Sequence, residues 1–316
     1  GVLVIEAPAS ALNNAGMVKT QNENEVHVKA ISTPEGVYPY VSAQALRYWL
    51  RTLLATTHSW RSSPAFRETD IAYTAADPIA YDEDDLFGYM RASSGMEAEE
   101  KAREAGLTPL QEEQRDKKTK PVSLTRISPL RVGTLVATAP AKLIKDWGTM
   151  SRAEGHPVIH VHQLYRAHLE APFGIDLTSA GTFFVSQRVG FKNLDTNRVE
   201  SAKGAGATQM KVRGFDAWRL PLATRRSRVA AVLRALGKLE GGAKQTLHLT
   251  DTAPAILLLA ACKSGNQPFL RVFQEGDEVT VFRDDVFEDA LRVFKDDLQS
   301  DVYVGWAKGF LDAERK

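Results

Sequence analysis

Gly241-Gly242-Ala243-Lys244-Gln245 places two residues without side chains directly before an ammonium and a carboxamide. Paired glycines let the backbone approach a bulky anion, and the lysine and glutamine supply donors beside it; a phosphodiester backbone is a ligand of suitable charge and size. The alternative is a plain helix-to-strand turn with glycine at the helix C-cap. Three further sets of residues have the same character. Asn13, Asn14, Lys19, Thr20, Gln21 and Asn22 crowd amide and cationic donors into one polar stretch. Gln44, Arg47 and Arg51 fall together on one side of a predicted helix, with the arginines one turn apart, so that two guanidinium forks can grip successive phosphates. A solvated helix face is the alternative there. Lys203, Lys211 and Arg213, around Gly204 and Gly206 with Met210 and Phe215 between them, suit either a projecting hairpin that holds a polynucleotide or a solvated loop.

Catalytic patterns are absent. The chain has no GxSxG, no P-loop, no HExxH and no dinucleotide fingerprint after a strand. His156, His160 and His162 in HPVIHVH invite a zinc reading, but no cysteine or nearby carboxylate completes a shell of usual spacing, so paired surface or core histidines are expected. Asp284-Asp285 and Asp296-Asp297 read as a solvated acidic helix end rather than a cation site. The expectation is a protein without catalytic residues, metal or cofactor.

The elements that must position these residues follow from hydrophobic spacing. Val2 to Ile5 is a short buried strand, interrupted by Pro8. Ser42 caps a helix whose apolar face is Leu46, Trp49, Leu50, Leu53 and Leu54. From Ser59 to Ala139 the pattern is irregular and includes the acidic turn Tyr81 to Asp85. The Glu/Lys/Arg-rich stretch Glu97 to Lys120 reads as a mobile insertion, since so few apolar residues cannot offset the entropy of ordering it. Val158 to Leu177 reads as one or two strands. A second helix runs from Arg225 to Leu239 with Ser227 as N-cap. Its apolar face is Val229, Val232, Leu233, Leu236 and Leu239, and its polar side carries Arg225, Arg226, Arg228, Arg234 and Lys238. After the glycine turn a strand is expected over Thr246 to Thr250, then strands over Ala255 to Ala261, Phe269 to Phe273 and Val279 to Phe282. Phe287, Leu291 and Phe294 return to helical spacing.

With 316 residues the chain can bury a large core. Its lone Cys262 excludes a disulfide framework within the chain and suits a reducing compartment. No apolar run approaches the length of a membrane span and the amino end lacks the pattern of a signal peptide, so a cytoplasmic protein with no membrane partner is expected. The net charge of +1 conceals segregation. Residues 186–238 hold 12 Lys/Arg against 3 Asp/Glu, a local +9; residues 82–116 hold 4 against 11, a local −7; residues 275–316 hold 6 against 12, a local −6. That is the pattern of a polyanion footprint beside acidic surfaces, and it would also let copies stack basic to acidic.

The ordered blocks IEAPASALNNAG, KTQNENEVHVKAISTPEGVYPYVSAQALRYWLR, DLFGYM, TRISPLRVGT and the helix with GGAKQ resemble the Cas-seven backbone subunits of type I-B CRISPR Cascade, of the DevR type. The resemblance covers nearly the whole chain. It implies an α+β, hand-shaped protein: a ferredoxin-like, RNA-recognition-like palm, an inserted fingers region and a protruding thumb. On this sequence the palm would take residues 1–58, 158–185 and 223–316, the fingers 59–157 and the thumb 186–222. It implies several copies stacked in a helical filament along the spacer of a CRISPR RNA, with target DNA pairing to that guide and other Cascade subunits (Cas-five, Cas-six, large and small) as partners. Arg126, within TRISPLRVGT, joins the RNA-binding set. Related type III filaments that cleave RNA carry a catalytic Asp after the first strand. Here no Asp precedes Asp70, which favours a non-cleaving subunit. The competing expectation is a metal-dependent endoribonuclease using Glu23, Glu25 or Asp70. A DNA-binding regulator has little support, because no helix-turn-helix segment is visible.

Overall fold

The computed structural model describes residues 1–19, 24–57, 59–68, 71–91, 100, 103–115, 118–150, 154, 158–186, 192–275 and 280–311. Its mixed α/β chain divides into two compact units. The first comprises Gly1–Leu50, Val132–Gly174 and Ala235–Lys316, and the second Arg51–Arg131 and Ile175–Arg234.

The first unit is built on an antiparallel sheet. Its order is Tyr303–Trp306, Ile256–Leu259, Val2–Ser10, Val158–Ile175, Leu135–Ala137, Gly36–Val41 and Ala30–Thr33. Val2, Leu3, Val4 and Ile5 are all fully buried, as a central strand covered on both faces must be. Pro8 does not end that strand. It runs on to Ser10, with a register shift between Ala7 and Ser10, where the proline lacks an N–H for the ladder. Val2 and Val4 pack with Ile256, Leu258, Phe269, Val272 and Phe273, and Phe287 and Leu291 of the helix Asp284–Val293 close over that cluster.

The long strand Val158–Ile175 is one element of 18 residues. Its second half pairs with the first strand. Its first half leaves that partner and pairs antiparallel with Ile144–Met150 and parallel with Asn24–Val28, which in turn pairs with Asn14–Lys19. The polar stretch after the first strand is therefore a two-stranded arm on the sheet, not an extended loop. Residues 132–157, placed with the fingers on sequence, supply the strands Leu135–Ala137 and Ile144–Met150 to this same unit.

The second unit contains the hairpins Ala65–Glu68 with Ile71–Thr74 and Glu112–Arg115 with Lys118–Pro121, and the pair Tyr89–Arg91 with Leu124–Arg126. A three-stranded sheet runs in the order Thr182–Phe184, Phe215–Arg219, Thr208–Val212. The expected mobile insertion is in part ordered: it contains the hairpin Glu112–Arg115 with Lys118–Pro121, and before it Leu107 is buried with Ala75 and Leu110 with Ala76, Tyr89, Val122 and Leu124. Two aliphatic anchors suffice to order the described part of a charged stretch. Residues 97–99, 101–102 and 116–117 of it lie outside the described residues.

Three expected elements differ. The second helix spans Leu222–Leu236, directly after Pro221, whose carbonyl accepts from Arg225 N at 3.2 Å, and Ser227 lies inside it rather than at its cap. Thr246 to Thr250 is not a strand: Gln245–His248 forms one helical turn. Phe269 to Val272 form a turn, with the strand confined to Phe273–Glu275.

Candidate nucleic-acid interface

In the first unit, three segments far apart in sequence meet at one surface. The backbone N–H of Ala243 donates to the carbonyl of Leu12 at 2.9 Å, which ties the glycine turn to the start of the amide-rich arm. Ser10 Oγ and Thr250 Oγ1 share a hydrogen bond of 2.6 Å, and Ser10 pairs in register with Tyr165 of the long strand. Along that strand, His162 is paired with Asp146 on one side and Val26 on the other, and Val26 with Met17; His160 is paired with Gly148 and Asn24, and Asn24 with Lys19. Paired residues share a sheet face. His160, His162 and Met17 are therefore on one face of the arm. Burial holds the His162 imidazole below its usual pKa, and the nearby Lys244, His160 and His248 push the same way against Asp146. Lys244 and His248 thus belong electrostatically to the same patch, which sequence reasoning reached for Lys244 and missed for the histidines. A His-x-His on a strand was the available signal; only the register shows which neighbours it has.

The glycine pair has a structural duty that its sequence did not reveal. Gly241 and Gly242 have φ of +159° and +111°. A Cβ on Gly241 would lie 2.3 Å from Trp49 Cγ, and one on Gly242 2.6 Å from Leu12 Cδ2. The close approach is to the protein's own core, so a side chain at either position disturbs the folded turn before any ligand is met. Gln245 is similarly occupied, its Nε2 donating to the Gly241 carbonyl and, at 3.0 Å, to that of Thr250. Of the five residues, Lys244 is the one left to present a charge, and no carboxylate among the described residues pairs with it.

Among the other predicted contacts, Asn13 Oδ1 accepts the Ser42 backbone N–H at 3.0 Å and so braces a helix start. Asn14 Oδ1 is buried without a hydrogen-bond partner among the described residues. The backbone of Lys19 ends the arm's first strand, and Thr20, Gln21 and Asn22 lie outside the described residues. On the helix Ala43–Ala55, Gln44 is exposed and Arg47 half-buried. Arg51 Nε lies 3.0 Å from Glu83 and its guanidinium stacks 4.8 Å from the Phe87 ring centroid, within the second unit. Arg47 and Arg51 therefore do not form two equivalent forks.

Arg126 is withdrawn from the set altogether. Its side chain is 3% exposed, its guanidinium pairs with Asp85 at 2.5 Å, and its other donors go to the carbonyls of Asp85, Ser179 and Thr182. A guanidinium so enclosed has no donor left for a phosphate. Lys211 and Arg213 are exposed on a true hairpin, Thr208–Val212 with Phe215–Arg219, turned by Arg213 and Gly214 with φ of +51° and +84°, the sign a two-residue turn requires. Lys203 ends the helix Thr196–Gly204, 2.6 Å from Glu200 and 5.5 Å from the Trp218 ring centroid.

The carboxylates of the endoribonuclease reading are accounted for where they are described. Glu25 is buried and bonded to Lys145 at 2.9 Å and Gln163 at 3.4 Å, with His27 at 3.3 Å. The Lys145 contact holds its carboxyl below the usual range. Glu23 and Asp70 lie outside the described residues. Among the described residues no group of three or more His, Cys, Asp or Glu is placed to hold a metal ion. No helix there is long and apolar enough to cross a membrane.

No family model matches the chain, and no curated protein matches it in sequence. Its fold is nevertheless found among solved structures. It is similar to a chain of a CRISPR RNA-guided surveillance complex in a pre-nicking state, with a TM-score of 0.53 and 11% identity over 98% of this chain and 92% of that one. A chain of another CRISPR RNA-guided surveillance complex aligns with a TM-score of 0.47 and 11% identity, over 99% of this chain and 91% of that one. At such identity the first likeness establishes a shared fold: a mixed α/β chain with antiparallel sheets, of the kind found in a subunit of that complex.

Proposed function

We propose that the chain is a non-catalytic CRISPR RNA-binding backbone subunit of a Cascade-type complex, several copies of which stack along the guide spacer and present it for pairing with target DNA. Other Cascade subunits would complete the assembly. The first unit is the proposed palm; the second carries the proposed fingers and, over residues 186–222, the proposed thumb. The observation that carries this reading is the meeting of the arm, the His160/His162 strand and the Lys244 turn at one surface, in a fold shared with a surveillance-complex chain. Fold alone does not give function. Lys244, with His160 and His162 on the adjoining strand, supplies the site-level support, because single-stranded nucleic acid is held by cationic and polar donors along its backbone.

The test is expression of the chain with a CRISPR array and partner subunits, followed by extraction of nucleic acid from the purified complex. Guide RNA should co-purify and dissociate steeply as salt rises, with a slope of roughly −0.7 per phosphate neutralised. Bare protein, or RNA cut in place on addition of Mg²⁺, would overturn the reading.

A further inference from the structure

After the glycine pair the chain makes an unusual turn. Lys244 has φ of +59° and Leu249 of +44°, and between them lies the single helical turn Gln245–His248. A left-handed backbone is disfavoured for any residue with a Cβ, and two such residues so close together persist only where surrounding bonds impose them. Those bonds are present. The Lys244 carbonyl accepts from Leu247 N and His248 N at 2.9 and 3.0 Å, and the Gln245 carbonyl accepts from Leu249 N at 2.9 Å. The Gln245 side chain bridges Gly241 to Thr250, and Thr250 is fastened to Ser10.

The effect of this fastening is to expose apolar side chains. Leu247 is 64% and Leu249 89% exposed, and Met17, on the sheet face of His162, is 62% exposed. A pinned turn that holds leucines out of the core beside Lys244 and His248 is the reverse of ordinary packing. Apolar surface beside the Lys244 cation matches one occupant well: a single strand of RNA, whose base faces are apolar and whose phosphates are anionic. A purely apolar protein partner would leave Lys244 facing a surface without complementary charge.

We propose that Leu247 and Leu249 form a wedge that packs against the faces of unstacked bases of the bound strand while Lys244 meets a neighbouring phosphate. This rests on the RNA-binding reading and assigns the base contacts within it. The test uses the full chain with single-stranded RNAs carrying 2-aminopurine at successive positions, whose fluorescence rises when a base leaves its stack. Wild-type protein should raise fluorescence at particular positions. Leu247→Ala with Leu249→Ala should abolish that rise and weaken binding roughly tenfold or more, with the salt slope unchanged because no charge is lost. Leu249→Asn serves as the second variant. Asparagine tolerates a left-handed backbone, so the turn is kept and only the apolar surface is removed; it should weaken binding in the same way. Variants that bind as tightly and unstack as well as wild type would overturn the wedge while leaving RNA binding intact. Variants whose defect is loss of self-association without RNA would overturn it in favour of a second copy covering the leucines. Wild-type protein that binds no RNA would overturn both the wedge and the reading beneath it.

Discussion

The two units use their cations in opposite ways. In the second, Arg126, Arg198 and Arg228 are buried, each paired with a buried carboxylate: Arg126 with Asp85, Arg198 with Asp195, and Arg228 with both Asp82 and Asp85. In the first, Lys244 has no carboxylate partner among the described residues and sits on a turn that exposes Leu247 and Leu249. The acidic run Asp82 to Asp85 and the basic block 186–238 read on sequence as two separate surfaces. In the structure Arg228 of that block meets Asp82 and Asp85 inside one unit: all four acidic residues are buried, and Arg228, counted on the polar side of its helix, is 3% exposed. Arginine's planar fork suits this burial, because one guanidinium can serve a carboxylate and several carbonyls together. Arg198 does so, bonding Asp195 and the carbonyls of Ala75, Ala76 and Thr108. Linear charge density is therefore a poor guide to surface potential here.

Removing Asp85 should break the contrast with the largest effect. Its Oδ1 accepts from Arg126 and from the Gly181 N–H at 3.0 Å, and its Oδ2 from Arg228 at 2.6 Å. Asp85→Ala leaves two buried guanidiniums without this counter-charge, and breaking a buried pair in this way costs about 3–5 kcal/mol. Thermal unfolding followed by circular dichroism, with limited proteolysis of Arg51–Arg131, should show a large loss of stability. A melting temperature near that of wild type would mean the arginines are not anchored there.

Glu170 sharpens the comparison, because it is a half-buried carboxylate without an arginine. It sits in the long strand opposite Val4 and Val136, its Oε1 has no hydrogen-bond partner among the described residues, and burial pushes its pKa from 4.5 to about 8. The folded chain therefore keeps a proton that the unfolded chain loses above about 4.5. Stability from this group is full below that pH and is lost as the pH rises toward about 8. Glu170→Gln should remove this slope and gain on the order of a few kcal/mol over wild type at the alkaline end. Equal pH profiles for the two proteins would show that Glu170 has a partner in solution.

The sequence made legible what rests on local pattern. Ser42 caps its helix, accepting from Ala45 N at 3.3 Å, and Leu46, Trp49, Leu50 and Leu54 are buried as their spacing requires. The first strand, the Phe287 to Phe294 helical spacing and the basic hairpin tip also follow from neighbours in the chain. What was illegible rests on distant contacts. Arg228 lies 143 residues from Asp85, and nothing beside Arg126 signals that its partners come from residues 85, 179 and 182. The glycine pair was recognised as a close approach, but the approaching atoms belong to Trp49 and Leu12 rather than to a ligand. The strand expected over Thr246 to Thr250 failed because alternation in so short a run cannot compete with the Gln245 bridge and the Ser10 to Thr250 bond.

Lys244→Glu should have the smallest effect on stability and is for that reason the most discriminating. The side chain pairs with no described carboxylate, so its loss should change stability within about 0.5 kcal/mol, as for most surface substitutions. The backbone at φ +59° is already left-handed and is held by the glycine turn and the Gln245 bridge, none of which needs the ammonium. The charge reversal acts on the ligand instead. If Lys244 meets a phosphate, the variant should bind single-stranded RNA at least about tenfold more weakly, and the salt slope should become shallower by about 0.7, the share of one phosphate contact. The two readouts separate the roles of the turn: lost affinity at unchanged melting temperature places Lys244 on the RNA. Unchanged affinity and slope would reduce Gly241 to Gln245 to a helix end packed on Trp49 and Leu12, and would move the search for the guide contact to Gln44, Arg47 and the hairpin of Lys211 and Arg213.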